Sequence, residues 1–344
     1  MKLRKIAAVI LALTMLLSIT AVFSWASFDD IDSQKEAFLF GKGPEINGYS
    51  IDYRYYSPVK ENDNTKYSLV IWLHGFGNGL KEGDQLDAND IAVWAKEDYQ
   101  QRFKGSEGAF ILAARSLEEK GLFWDNCLIY PLRGAIDAFI SENRENIDIS
   151  RIYIGGYSMG GKMTLKMAMA YPEMFAAIFP VCPYLTPSAD ACSTISSIPM
   201  WLTSGVADYI ANYYSMAMTV WKNVISQSKV AEDCRFSTLT QTAYPDGCLT
   251  PTPHHSWFAV NYDMFSSDKG DYPFMKTVNG KGETVNLTYP DGMISWLSGF
   301  TSEYDGSVAY DGGISEAYNA EESAFNVIIN YFRNLIEYFL SLFR

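Results

Sequence analysis

Histidine is scarce in this chain: His74, His254 and His255 are the three among 344 residues. A reaction that needs an imidazole has few residues to draw on. Cysteine pairs at metal or redox spacing are missing too. Cys127, Cys182, Cys192, Cys234 and Cys248 include no Cys-x-x-Cys, and there is no His-rich tract, so the sequence points to no metal and no cofactor. Positive charge is the third shortage. Lys and Arg number 27 against 40 Asp and Glu, a formal charge of −13, with no basic patch to offset it. That excludes nucleic acid and anionic membranes as partners and disfavours strongly anionic polymers. A neutral or weakly charged ligand fits.

Apolar side chains are plentiful, at 48% hydrophobic and 15% aromatic, enough for one large domain with a full core. Met1-Lys2-Leu3-Arg4-Lys5, the apolar run Ile6 to Phe23 and the small residues of Ser24-Trp25-Ala26 read as an export leader. The expectation is a signal peptide over 1–26, a mature chain from near Ser27, and a secreted or cell-surface protein; a retained membrane anchor is the alternative, since the run is long enough to span. Lys2, Arg4 and Lys5 would leave with it, taking the charge from −13 to −16. Export permits disulfides. The nearest-neighbour pairs Cys182–Cys192 and Cys234–Cys248 would each close a short loop; the sequence does not choose among pairings, and in an anaerobic cell all five would stay reduced.

Gly156-Tyr157-Ser158-Met159-Gly160 follows the apolar Ile152-Tyr153-Ile154 and precedes the helix-forming Lys162 to Met169. Strand, sharp turn and helix with serine at the apex is a nucleophile elbow: small residues two before and two after the serine let the strained turn close. The serine needs a base. His74, in Leu73-His74-Gly75-Phe76-Gly77 after the apolar Ser68 to Trp72, stands in an HGxG turn, which supplies amides to an oxyanion rather than a base. By elimination the base is His254 or His255. Asp208, in Gly205-Val206-Ala207-Asp208, is the candidate acid. Capping a helix near Tyr209 is its other reading, and Asp190, Asp233 and Asp246 are rival acids. The order Ser158, Asp208, His254 or His255 is that of α/β-hydrolases. The oxyanion donors would be the amides of Phe76 and Met159.

The segment Asp148 to Gly161 resembles the elbow of secreted esterases related to feruloyl and acetylxylan esterases and polyhydroxybutyrate depolymerases. Prolyl-oligopeptidase-like and dienelactone-hydrolase-like enzymes are similar. The resemblance covers roughly Tyr49 to Phe300. It implies a carboxylic ester, free or polysaccharide-linked, as substrate. It also implies an acid in Gly-x-x-Asp and a histidine shortly before tryptophan. His254-His255-Ser256-Trp257 offers both spacings; His-x-Ser-Trp favours His254, although Pro253 stands where those relatives have glycine. A peptidase and a non-catalytic binding protein of the same fold are the alternatives, the first weakened by the lack of a propeller-like repeat region.

Apolar runs at Tyr67 to Leu73, Ala109 to Ala114, Ile152 to Ile154, Ala177 to Val181, Met200 to Leu202 and Ser237 to Thr242 read as buried strands, with Ile51 to Tyr56 in an N-terminal antiparallel hairpin. Helices are predicted over Ile91 to Phe103, Leu132 to Asn143, Lys162 to Ala170 and Ile210 to Val224. This alternation predicts an α/β-hydrolase fold with a mostly parallel sheet and helices on both faces. Tyr262 to Val285 reads as an irregular insertion, and a last helix follows around Met293 to Phe300. The catalytic domain would occupy 27–300, an acidic linker 301–322, and an amphipathic C-terminal helix 323–344. Apolar residues from Phe325 to Phe343 recur there at helical spacing. That helix would dock on its own domain, self-associate or contact the cell surface.

Overall fold

The computed structural model describes residues 31–60, 64–87, 91–242, 249–250, 252–265, 274–287 and 291–306. The expected leader, all but the first residues of the linker, the C-terminal helix, Asp246 and Cys248 lie outside these. Nine strands among the described residues form one sheet. They are β1 (Leu39–Lys42), β2 (Asp52–Tyr56), β3 (Tyr67–Leu73), β4 (Ala109–Ala114), β5 (Ile147–Tyr157), β6 (Ala177–Val181), β7 (Trp201–Gly205), β8 (Arg235–Leu239) and β9 (Met275–Asn279). Their order is β1-β2-β4-β3-β5-β6-β7-β8-β9. The six from β4 to β8 run parallel; β1, β2 and β9 are antiparallel at the two edges.

Every residue of β3, β4, β6 and β7 is buried, as expected of central parallel strands covered on both faces. Gly155 in β5 leaves room for Phe179, whose ring a β-carbon at that position would strike. Phe179 then stacks between Trp72 at 5.8 Å and Trp94 at 5.7 Å. Burying each such aromatic contributes on the order of 2–3 kcal/mol. β4 lies on one side of β3 and β5 on the other. Strand order therefore reverses at β3, and ligands of open α/β sheets bind at the carboxyl ends of strands beside such a reversal.

Three expectations need correction. Ile91 to Phe103 is a 3₁₀ turn, Ile91–Ala95, with all five side chains buried, followed by the short helix Glu97–Gln100. The Trp94 indole donates to the Asn261 carbonyl at 2.8 Å, a tertiary bond that overrides helix propensity. Ile210 to Val224 begins as a turn, passes through a π-helical turn at Tyr213–Ala217, and becomes α-helical only over Met218–Ile225. The supposed insertion contains β9, which closes the sheet against β8. Cys182, Cys192 and Cys234 are free thiols, one of the outcomes the sequence leaves open; Cys182 packs on the Ser204 hydroxyl at 3.9 Å.

Candidate active site

β5 ends at Tyr157 and the helix Met159–Ala170 starts at the next residue but one, which leaves Ser158 alone in the turn. Its backbone sits at φ 57°, ψ −109°, a conformation that costs a non-glycine residue on the order of 1–3 kcal/mol. A β-carbon at Gly156 would meet the Leu73 carbonyl oxygen at 2.7 Å, and one at Gly160 would collide with the carbonyls of Leu73 and His74. These are backbone atoms at the end of β3, so no rotamer change clears them. The Ser158 amide donates to Val181 O at 2.8 Å, and its carbonyl accepts from Lys162 N at 3.0 Å and Tyr184 N at 3.1 Å.

The turn delivers the Ser158 hydroxyl to His254 Nε2 at 2.9 Å, and His254 Nδ1 donates to Asp208 Oδ2 at 2.7 Å. A carboxylate only accepts, so Nδ1 carries the hydrogen and the Nε2 lone pair faces the serine. Asp208 follows β7, and its other oxygen accepts from Ile210 N at 2.9 Å and Ala211 N at 3.1 Å. The sequence offers capping and imidazole orientation as alternatives for Asp208; the structure has both. Those two bonds have N-cap geometry and cap the turn that leads into the π-helical segment Tyr213–Ala217. The acid bonded to the ring is Asp208 rather than Asp190 or Asp233.

His254 sits in a loop tied down by Thr242, whose hydroxyl donates to Thr252 O at 2.9 Å. Pro253 lies so close to the end of β7 that a β-carbon on Gly205 would strike its carbonyl. His255 turns instead toward Trp257 and Phe258, ring centroids 6.5 and 6.4 Å away. Burial, with His254 beside it, pushes its pKa down to about 3. Of the two adjacent rings, His254 is the one brought to Ser158.

His74 is fully buried at the end of β3. Its Nδ1 donates to Gly75 O at 2.7 Å, and its Nε2 accepts from Ser116 N at 3.0 Å. Burial pushes its pKa down to about 4, so it is neutral and serves as a brace for its own loop. Trp124 is core: its indole donates to His74 O at 3.0 Å. Phe76, 38% exposed, stacks on Phe123 at 5.1 Å. The Met159 amide opens its helix, where no preceding turn offers a carbonyl.

Two features escape sequence reasoning. Glu118, buried at the start of the 3₁₀ turn Glu118–Lys120 after β4, accepts from Gly77 N and Gly79 N, both at 3.1 Å. Cys182 lies beside Asp208; burial first, then that carboxylate, push its thiol pKa up. Among the described residues Cys182, Asp208 and His254 have metal-ligand spacing, their donor atoms within 4.8 Å of one another. A raised thiol pKa opposes the thiolate that a soft cation requires.

Residues 131–244, which include Ser158 and Asp208 and end before His254, match the phospholipase/carboxylesterase family. Poly(3-hydroxybutyrate) depolymerase of Ralstonia pickettii is 27% identical over 146 residues, covering 39% of this chain and 29% of the depolymerase. A solved thermostable esterase superposes with a TM-score of 0.54 at 25% identity, covering 67% of this chain and 62% of the esterase. The chain thus spans under a third of the first relative's length and under two thirds of the second's. The strand order, with its reversal at β3, and these likenesses make this an α/β-hydrolase fold similar to that of esterases.

Proposed function

We propose that the protein is an exported serine carboxylic-ester hydrolase. The observation that carries the reading is the bonded chain Ser158–His254–Asp208 at the apex of a strained turn. Ser158 Oγ attacks the ester carbonyl carbon while its proton passes to His254 Nε2; Asp208 holds the Nδ1 hydrogen and stabilises the imidazolium. The oxyanion accepts from the amides of Phe76 and Met159, each such donor contributing a factor of about 10²–10³ in turnover. His254 then protonates the departing alkoxide, leaving Ser158 acylated. Water attacks the acyl carbon, gives its proton to His254, and the carboxylic acid leaves as Ser158 regains that proton.

The substrates we assign are small uncharged esters, among natural ones the acetyl and feruloyl esters of plant polysaccharides. A charge of −13 favours uncharged over anionic substrates, and the stacked Phe76 and Phe123 rings offer a flat apolar face. The test is turnover of p-nitrophenyl acetate, expected to vanish in Ser158→Ala and His254→Ala and on treatment with a serine-directed phosphonate. A panel of acetylxylan, methyl ferulate, a 3-hydroxybutyrate oligomer and a proline p-nitroanilide peptide then sets the class. Preference for the anilide would replace the esterase reading with a peptidase. Turnover of none would leave a binding protein.

A further inference from the structure

The Phe76 amide belongs to the Gly75–Phe76 peptide, and the Phe76 carbonyl to the next one. Both planes are held from behind. His74 Nδ1 donates to Gly75 O, and a trans peptide then aims the Phe76 N–H the opposite way, away from the brace. The following plane ends in the Gly77 N–H, which donates to Glu118 Oε1, while Gly79 N–H donates to Oε2 of the same carboxylate. Gly77, at φ +84°, lies in the left-handed region, where glycine is conformationally free, so a fixed acceptor there has an orientation to choose. Arg115 adds a third tie, donating to Gly79 O at 3.2 Å.

We propose that Glu118 is a positioning residue: its buried carboxylate, by holding the Gly77 and Gly79 amides, sets the direction in which the Phe76 amide meets the oxyanion. The proposal rests on the ester-hydrolase reading above. An apolar or neutral side chain would be the less costly occupant of a buried site, and a carboxylate accepting two amides is justified by the loop it orders. Around it stand Asp84 of the short helix Asp84–Asp87, Glu119, Arg115 and the neutral His74 ring. Burial, together with Asp84 and Glu119, raises the Glu118 pKa to about 7, against the lowering effect of the two amides. Protonation leaves one good acceptor where there were two, so the loop loosens as pH falls below about 7.

Glu118→Gln tests this, with Glu118→Ala beside it. Expected for Gln on p-nitrophenyl acetate at pH 8 is a fall in kcat of about 10-fold to 100-fold, less than deleting a donor outright. KM should stay within twofold, the Tm should be equal or higher, and the amides of residues 77 and 79 should exchange hydrogen faster. A kcat within twofold of wild type with unchanged exchange overturns the proposal. So does a fall in Tm with kcat preserved, since that marks a purely structural role. If neither variant folds, the wild-type loop decides. Its protection, corrected for intrinsic exchange, should drop between pH 8.5 and 5.5, and a flat profile overturns the proposal. An inactive wild type instead sinks the hydrolase reading, and the proposal with it.

Discussion

Ser158→Gly and Ser158→Ala both delete the nucleophile, yet they should differ in stability. Alanine keeps a β-carbon at φ 57°, ψ −109° and so keeps the strain, which is on the order of 1–3 kcal/mol. Glycine removes it but loses about 0.4–1 kcal/mol by enlarging the conformational freedom of the unfolded chain. The hydroxyl and its bond to His254 are absent from both, so they cancel in the comparison. The difference should leave the glycine variant more stable than the alanine variant by about 1 kcal/mol. For a chain of 344 residues that is a rise in Tm of roughly 1–2 °C. Urea unfolding at pH 8, with m-values compared, measures it directly. A glycine variant equal to or weaker than the alanine variant, at equal m, would refute the claim that the elbow stores strain.

Asp208→Asn should keep the two amide bonds to Oδ1 but present an amide N–H₂ to His254. The ring would take the other tautomer, and ester turnover should fall by about 10⁴ with KM little changed. His255→Phe should leave turnover within about threefold of wild type; a loss as large as that of His254→Ala would show the wrong ring has been assigned. Unfolded His74 takes its proton near 6.5, folded His74 only at about 4. The unfolded chain therefore binds more protons in that window, and stability falls as pH drops through it, by about 3 kcal/mol in full. A His74→Gln variant should lack that part of the slope in urea unfolding run from pH 7 to 4.

The elbow was legible in the sequence because its cause is local and steric. Gly156 and Gly160 are required by backbone atoms a fixed distance from Ser158, so spacing alone reports them. The central strands were legible for a related reason: a strand buried on both faces is an unbroken apolar run, as Tyr67–Leu73 and Ala109–Ala114 are. The edge strand β9 was not. Its residues are mostly half-exposed, and an antiparallel edge follows from its partner β8 rather than from composition. The choice between His254 and His255 could not be made from residues alone, since adjacent side chains diverge by an angle that only the packing of Pro253 on Gly205 fixes. Glu118 was invisible for a stronger reason. Nothing near it in sequence marks it, and its role exists only through a contact some forty residues upstream.

Glu118 and His74 flank the same loop, and burial disfavours the charged form of each. Their linkages have opposite sign. Folded Glu118 holds its proton to about 7, unfolded glutamate only to about 4.5. Its contribution is therefore present below 4.5 and lost as pH rises through 7, by about 3 kcal/mol. His74 gains nearly the same amount over nearly the same range. The two offset each other, so the loop they brace places little net pH dependence on the fold while remaining sensitive to pH in its own geometry. Global unfolding and local function are thus separable here. Ionised Glu118 is the costly form for folding and the form that holds both glycine amides. A side chain that weakens the fold most in the state where it orders the site has its reason for being there in the site.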